Sequence, residues 1–194
     1  MRIFDAKHVP KPKVETLPES NLPLDIEIGA GAGLHAIRYS QNNPNRFLVA
    51  IEHTQTRFAK LYRRFENHEH RSNLRPLHEN AISVITHLVK NESVENVFLL
   101  YPNPFPKARD LNKRWHAMPF MQKIIDVLKM GGKIHLATNE KFYADEAREY
   151  FQNIWRLKMV VDEKITDPKL ARTHFEKKYL ESGQTCYNIV FEKN

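Results

Sequence analysis

The sequence predicts an α/β fold: a seven-stranded, mostly parallel sheet with helices on both faces and an antiparallel last strand. Three observations predict it. The run Leu24-Asp25-Ile26-Glu27-Ile28 is short, mostly apolar and closed by glycine, the pattern of a strand buried on both faces. Gly29, Gly31 and Gly33 then alternate with alanine, which lets the backbone turn tightly and approach a ligand with no side chain in the way. From there onward, strand-like and helix-like segments alternate, as they do where parallel strands are joined by right-handed helical crossovers.

A helical pattern starts near Leu34. Phe47-Leu48-Val49-Ala50-Ile51 is a second buried-type strand with Glu52 at its C-terminal end. An acid there, about 20 residues after a glycine turn, can accept hydrogen bonds from ribose hydroxyls. Thr54 to His68 is expected to be helical, with Phe58, Leu61, Tyr62 and Phe65 on one face and Thr54 as N-cap. Asn73 to Leu77 forms a short strand, and Pro76 places it at an edge or strand end. Asn80 to Lys90 is a helix with Ile82, Ile85, Leu88 and Val89 inward, and Val97 to Leu100 is a central strand. Tyr101 to Arg114 carries three prolines and four basic residues and is a loop. Met118 to Lys129 is a helix stopped by Gly131-Gly132, followed by a strand over Lys133 to Thr138. Glu140 to Asn153 is a helix, Arg156 to Val161 a strand, and Asp162 to Arg172 a polar loop. Thr173 to Glu181 is a helix stopped by Gly183, and Thr185 to Glu192 a final strand with Tyr187, Ile189 and Phe191 on one face. Ligands of such sheets bind beyond the C-terminal strand ends, so the turns at Gly29, Glu52, Asn80, Asn103 and Asn139 are expected to converge on one crevice.

The 194 residues suffice for one domain with a real core, expected over 21–194 behind an exposed arm over 1–20. That arm carries Lys7, Lys11 and Lys13 and no apolar h-region, so it is not read as a secretory signal. The formal charge of +7 points to a polyanionic partner. A single Cys186 excludes an internal disulfide framework and fits a cytoplasmic setting. No run reaches the ~18 apolar residues of a membrane span. The ten histidines lack metal-ligand spacing, so no metal is expected, and His68 and His70 are expected at the surface.

Glu27 and Glu52 flank the glycine turn as carboxylates suited to a cofactor. Asn80 and Asn139 each precede a helix and could cap it or face a ligand. Thr173-x-x-Glu176 has the pattern of a capping box. Lys107, Arg109, Lys113 and Arg114 lie near Tyr101, Phe105 and Trp115, a combination suited to phosphate contacts and base stacking, or to an ordinary exposed loop.

Several stretches together resemble the bacterial tRNA (guanine-N7-)-methyltransferases. They are Glu27-Ile28-Gly29-Ala30-Gly31-Ala32-Gly33, Ala50-Ile51-Glu52, and Ser72-Asn73-Leu74-Arg75 with Glu79-Asn80-Ala81. Further on come Tyr101-Pro102-Asn103-Pro104-Phe105-Pro106-Lys107-Ala108-Arg109 with Asn112-Lys113-Arg114, and His135-Leu136-Ala137-Thr138-Asn139 with Tyr143. The last is Thr173-His174-Phe175-Glu176. The resemblance spans Leu24 to Lys193 and rests most on the 101–114 loop and the Thr-x-Phe-Glu stretch. It implies a Rossmann-like class I methyltransferase fold and methyl transfer from S-adenosylmethionine to guanine N7 in tRNA, by a monomer or homodimer. It implies cofactor contacts from Glu27, Gly29, Gly31, Gly33, Glu52 and Asn80, and a catalytic position at Asn103. It implies tRNA contacts from Lys107, Arg109, Lys113, Arg114, Asn139, Thr173 and Glu176.

The chain departs from that family at five positions. The family has Asp at Asn80, Asn103 and Asn139, Trp at Phe105 and Lys at His174, while Glu27 and Glu52 are kept. Asn103 retains an acceptor oxygen and loses the charge. Deleting a preorganised group outright costs about 3–4 kcal/mol, and the amide keeps part of the dipole, so a slower or altered enzyme is expected. Two other readings stand beside this one. Asn103-Pro104-Phe105 is similar to the Asn/Asp-Pro-Pro-aromatic loop of amino-group methyltransferases, with Phe105 in place of the second proline. Alternatively, the three Asn residues make the crevice less acidic, as in a tRNA-binding protein that has lost catalysis. An NAD-dependent dehydrogenase ranks last, because the third glycine falls too early for Gly-x-Gly-x-x-Gly.

Overall fold

A computed structural model describes residues 3–68 and 72–194. Seven strands form one sheet: β1 (Leu24–Ile28), β2 (Phe47–Glu52), β3 (Leu74–His78), β4 (Val94–Leu100), β5 (Leu128–Thr138), β6 (Lys158–Ile165) and β7 (Cys186–Glu192). Their order is β3-β2-β1-β4-β5-β7-β6. The first five are parallel, and β7 runs antiparallel to both β5 and β6. The helices are α1 (Leu34–Asn42), α2 (Gln55–Glu66), α3 (Ala81–Leu88), α4 (Met121–Val127), α5 (Lys141–Glu149) and α6 (His174–Glu181).

Alternation along the central strands sorts side chains into two layers, as the two-residue strand period requires. Ile26, Val49, Ile51, Val97 and Leu99 join Val84, Ile85, Met121 and Ile124 in one core. Leu48, Ala50, Phe98 and Leu100 face the other way, onto Ala36 and Leu61. All six β2 positions are buried, which is why that strand reads as a continuous apolar run. Pro76 sits in β3 at the sheet edge, where a missing N–H is tolerated.

Several boundaries differ from the sequence expectation. The helix expected to reach Lys129 ends at Val127, and Gly131 and Gly132 lie inside β5, where its pairing with β4 shifts register, instead of stopping a helix. β6 extends to Ile165 because Ile165 still pairs with Cys186, so the polar loop is shorter than expected. α5 ends at Glu149 and continues as a π turn over Tyr150–Ile154. The 101–114 loop contains a 3-10 turn over Ala108–Lys113. His68, expected at the surface, is buried beside Ser40 and Gln41, and His70 lies outside the described residues.

The N-terminal arm is docked rather than free where it is described. Phe4 meets Phe120 edge-on at 5.3 Å, and His87 Nε2 donates to the Val9 carbonyl at 2.9 Å. The backbone N–H groups of Lys13 and Val14 both donate to Glu79 Oε1, at 2.7 and 3.1 Å. Among the described residues, no helix is long and apolar enough to cross a membrane, and no cluster of three His, Cys, Asp or Glu side chains could hold a metal ion.

Candidate active site

The glycine turn is fastened to β2 by backbone and carboxylate together. Gly29 N–H and Ala30 N–H donate to the Ile51 carbonyl at 2.8 and 3.0 Å. Gly31 N–H donates to Glu52 Oε2 at 2.8 Å, while Glu52 Oε1 accepts from Thr54 N–H at 2.7 Å. Glu52 thus joins the two turns that follow β1 and β2, and it is buried. Glu27, equally buried, meets His35 Nδ1 on the first turn of α1 at 3.0 Å.

Gly33 is the sharpest steric requirement of this cradle. It adopts φ +81, and a Cβ there would lie 2.3 Å from Leu61 Cδ1 and 3.2 Å from Leu61 Cα. Leu61 is fully buried, so it has nowhere to move. Gly33→Ala is therefore expected to cost roughly 2–3 kcal/mol, from overpacking plus the left-handed backbone. For a chain of this size the loss lowers Tm by about 4–12 °C. A thermal melt of the variant checks this, and an unchanged Tm would refute it.

Three adjoining cavities open along the C-terminal ends of the strands. One of about 470 Å³ is lined by Ile28, Ile51, Glu52, Asn80, Ala81 and Ile82 among others. A second of about 390 Å³ takes in Glu27, the glycine turn, His35, Thr173 and His174. The third, about 260 Å³, lies between Asn103 on one side and Asn139, Glu140, Phe175 and Tyr179 on the other. Arg57 and Tyr101 line all three. The expected convergence of the turns at Gly29, Glu52, Asn80, Asn103 and Asn139 is thus present in the geometry.

The first two cavities fit an adenosine-type cofactor with an amino-acid tail. Apolar walls from Ile28, Ile51, Ala81 and Ile82 suit a purine, and Glu52 stands where ribose hydroxyls would lie. Asn80 Oδ1 caps α3 by accepting from Ile82 N–H at 2.9 Å while the residue also faces this cavity, so both sequence readings of Asn80 are compatible. Glu27 and the open glycine turn suit an ammonium and a carboxylate.

The 101–114 loop leaves β4 under strain. Tyr101 and Phe105 adopt φ +55 and +45 without being glycine, an uncommon backbone state that clusters at functional sites. The Tyr101 hydroxyl donates to Glu176 Oε1 at 2.8 Å, and burial, with Cys186 and Glu176 nearby, drives its pKa far above that of a free phenol. Asn103 is exposed, and its Oδ1 accepts from Phe105 N–H at 3.2 Å in an Asx turn.

Three expected ligand residues, Arg114, Glu176 and Asn139, sit differently from the sequence picture, while Thr173 keeps both of its readings. Arg114 is buried and cannot contact RNA; it pairs with Glu146 and donates to the Phe105 and Lys107 carbonyls at 2.9 and 3.3 Å, stapling the loop from beneath. Glu176 is fully buried; its carboxylate accepts from Tyr101 and from the backbone and guanidinium of Arg172. Burial alone would raise its pKa, but Arg172 and the Tyr101 hydroxyl bring it below the usual carboxylate value. Thr173 caps α6, its Oγ1 accepting from Glu176 N–H at 3.0 Å, and it also lines the second cavity. Asn139 does not cap α5: Glu140 holds the N-cap position and Asn139 donates to Glu140 Oε1 and Gln184 Oε1 at 3.0 and 3.1 Å. Lys107, Arg109 and Lys113 remain exposed, with Lys113 paired to Asp110 at 2.8 Å.

A basic face on α2 escaped the sequence reading. Arg57, Lys60 and Arg64 line the second cavity, and among the described residues they form no ion pair. Their spacing of three and four residues puts them on one helix face. The same periodicity that showed the apolar stripe of Phe58, Leu61 and Phe65 would have shown this one. Across the cavity His174 has its pKa lowered by burial and by Arg64, Arg38, Lys177 and Lys60.

Comparison with known proteins agrees with this geometry. Residues 21–189 match the family model Methyltransf_4, described as "Putative methyltransferase". A tRNA (guanine-N(7)-)-methyltransferase of Nitrosomonas eutropha is 29% identical over 172 residues, covering 88% of this chain and 76% of that protein. One of Bartonella quintana is 27% identical over 180 residues, covering 91% and 77%. Among solved structures, an antibiotic-related methyltransferase aligns with a TM-score of 0.65 at 12% identity, over 88% of this chain and 87% of that one. A mutant 16S rRNA (adenine(1408)-N(1))-methyltransferase from Catenulisporales acidiphilia, with cosubstrate SAM, gives 0.63 at 12% identity, over 89% and 86%. These two likenesses speak to the fold, which is that of the class I methyltransferases. The extent of the family match carries the assignment: this chain belongs to the Methyltransf_4 family of methyltransferases.

Proposed function

We propose that the protein transfers a methyl group from S-adenosylmethionine to N7 of a guanine in tRNA. The observation that carries this reading is the adjoining arrangement of cavities. Two are furnished for an adenosine cofactor, and a smaller one next to them has aromatic and amide walls of base dimensions. Relatives 29% and 27% identical to this chain over about nine-tenths of its length carry the tRNA (guanine-N(7)-)-methyltransferase name.

When bound, S-adenosylmethionine supplies an electrophilic methyl on a sulfonium sulfur. Guanine N7 is a bare acceptor with no proton to remove, so the site needs no general base. The chain's contribution is positioning. Glu52 and Asn80 orient the adenosine half, and Glu27 with the glycine turn orients the amino-acid half. Tyr101, Phe175 and Tyr179 offer rings against which a base can stack, and Asn103 offers an amide at the edge of the same cavity. Lys107, Arg109 and Lys113 on one side and the α2 face of Arg57, Lys60 and Arg64 on the other supply the phosphate contacts.

Labelled methyl transfer to unmodified tRNA, resolved nucleoside by nucleoside, tests the reading. Label in 7-methylguanosine is expected, and label only in another nucleoside would overturn it. Reversing charge at Lys60→Glu with Arg64→Glu is expected to weaken tRNA binding at least tenfold near 0.1 M salt, and to flatten the slope of log affinity against log salt by about one to two. A salt slope unchanged by the double variant would remove the α2 face from the RNA track.

A further inference from the structure

The carboxylates that line the first two cavities each have at least one oxygen held in place, and Glu52 has both. Glu27 meets His35, Glu52 accepts from two backbone N–H groups, and Glu79 accepts from two more in the arm. The smallest cavity contains a single acidic side chain, Glu140. It is half-buried, and its Oε1 accepts from the Asn139 amide at 3.0 Å. Among the described residues its Oε2 has neither a hydrogen-bond nor an ion-pair partner. Asn139 is held in turn by Gln184 Oε1 at 3.1 Å, so one oxygen of Glu140 is fixed and the other is free. The residue stands at the N-cap of α5, where the helix end favours a negative charge.

This arrangement has a chemical match. The Watson–Crick edge of guanine presents two adjacent donors, the N1–H and the 2-amino group, and an ionised carboxylate is acceptor-only. Adenine presents an acceptor at N1, which a carboxylate would repel. The free Glu140 oxygen shares its cavity with the rings of Tyr101, Phe175 and Tyr179, which can hold a base flat. Methylation at N7 also changes the charge of the base. The N7 lone pair forms the new bond to carbon, the carbon–sulfur pair returns to sulfur, no proton leaves, and the purine becomes cationic. A carboxylate on the opposite edge gains attraction as that charge develops.

We propose that Glu140 is the specificity-determining carboxylate of this site, accepting from the donor edge of guanine and offsetting the charge that the base acquires. The proposal rests on the N7 reading above and deepens it. It assigns the acidic role in base recognition to the N-cap residue of α5, while Asn103 and Asn139 contribute amides.

Glu140→Gln keeps the shape and removes the charge. The substrates are two tRNA transcripts, one with guanosine and one with inosine at the position that the wild-type enzyme methylates. Inosine lacks the 2-amino group. Wild type is expected to lose roughly 10- to 100-fold in kcat/KM on inosine, because inosine keeps the N1–H but lacks the second of the two donors that the carboxylate accepts from. Glu140→Gln should lose a similar factor on guanosine and little more on inosine, so the two losses fail to multiply. Losses that multiply, or a variant equal to wild type on guanosine, would overturn the proposal. Unchanged S-adenosylhomocysteine binding shows that the variant is folded. Should the variant fail to fold, a wild type indifferent to inosine overturns the proposal by itself. The absence of 7-methylguanosine from wild-type reactions would instead strike the functional reading.

Discussion

Lowering the pH from 7.5 to 4.5 is expected to destabilise the fold by several kcal/mol, through the buried His116 and the half-buried His135. His116 is buried, its Nε2 meets Glu146 at 3.1 Å, and its Nδ1 has no partner. Burial pushes its pKa down to about 4, the nearby Glu146 notwithstanding. His135 stacks on Phe98 at 4.6 Å and meets Asn96 Oδ1 at 2.9 Å. Burial, and then the charges of His35, Arg172, Lys133 and Arg46, bring it to about 4 as well. In the unfolded chain both titrate near 6.5. Between those values the unfolded state binds the extra protons and the folded state does not. Their stabilisation is therefore complete above about pH 6.5 and disappears as pH falls toward 4. The linkage amounts to roughly 3 kcal/mol for each group, which together is a large share of the 5–15 kcal/mol typical of a domain. Melting curves at pH 7.5, 6.0 and 5.0 check it: Tm should fall steadily below 6.5, and a flat profile would contradict the burial argument.

Glu146→Ala should be the most damaging substitution outside the cavities. Glu146 bonds both Arg114 and His116. Arg114 has only 3% of its surface exposed, so truncating its carboxylate leaves a guanidinium facing two carbonyls with its charge unpaired. Removing one partner of a fully buried pair costs about 3–5 kcal/mol; the Glu146 side chain is 35% exposed and screened by solvent, so about 2–3 kcal/mol is expected here. The functional loss should exceed the loss of stability alone, because the Phe105 and Lys107 carbonyls are what Arg114 grips. With the staple gone, the loop bearing Asn103, Lys107 and Lys113 loses its anchor. At a temperature where the variant is still folded, methyl transfer to tRNA should drop at least tenfold, while S-adenosylhomocysteine affinity changes little. A variant that melts early but keeps full kcat/KM would show that the loop holds its shape without the staple.

The parts of the fold carried by local pattern were readable from the sequence. The strand before the glycine turn, the apolar run that opens β2 and the edge position of β3 each follow from periodicity or from one proline. Boundaries set by pairing partners were not. β6 runs four residues past Val161 because β7 continues beside it, and no local signal encodes a neighbour. At the site, Glu27, Glu52, Asn80 and Asn103 lie where strand-end logic put them. Arg114 and Glu176 were misjudged for one reason: a charged letter in a polar loop or in the first turn of a polar helix reads as exposed, and only tertiary contacts reveal that each is buried against an opposite charge. The α2 face was missed because basic residues at helical spacing read as a solvated surface until the facing cavity wall is known.

The grip of the N-terminal arm on Glu79 has an evolutionary consequence. It is made by two main-chain N–H groups, and every amino acid except proline offers one at no cost to the contact. Position 13 is thus free to drift through nearly the whole alphabet, while position 14 need only stay apolar enough to pack on the core. Purifying selection here acts against a single letter rather than for one. Homologues should show an arm whose spelling wanders, whose prolines stop short of these two positions, and whose anchoring acid is far better preserved than the segment it anchors.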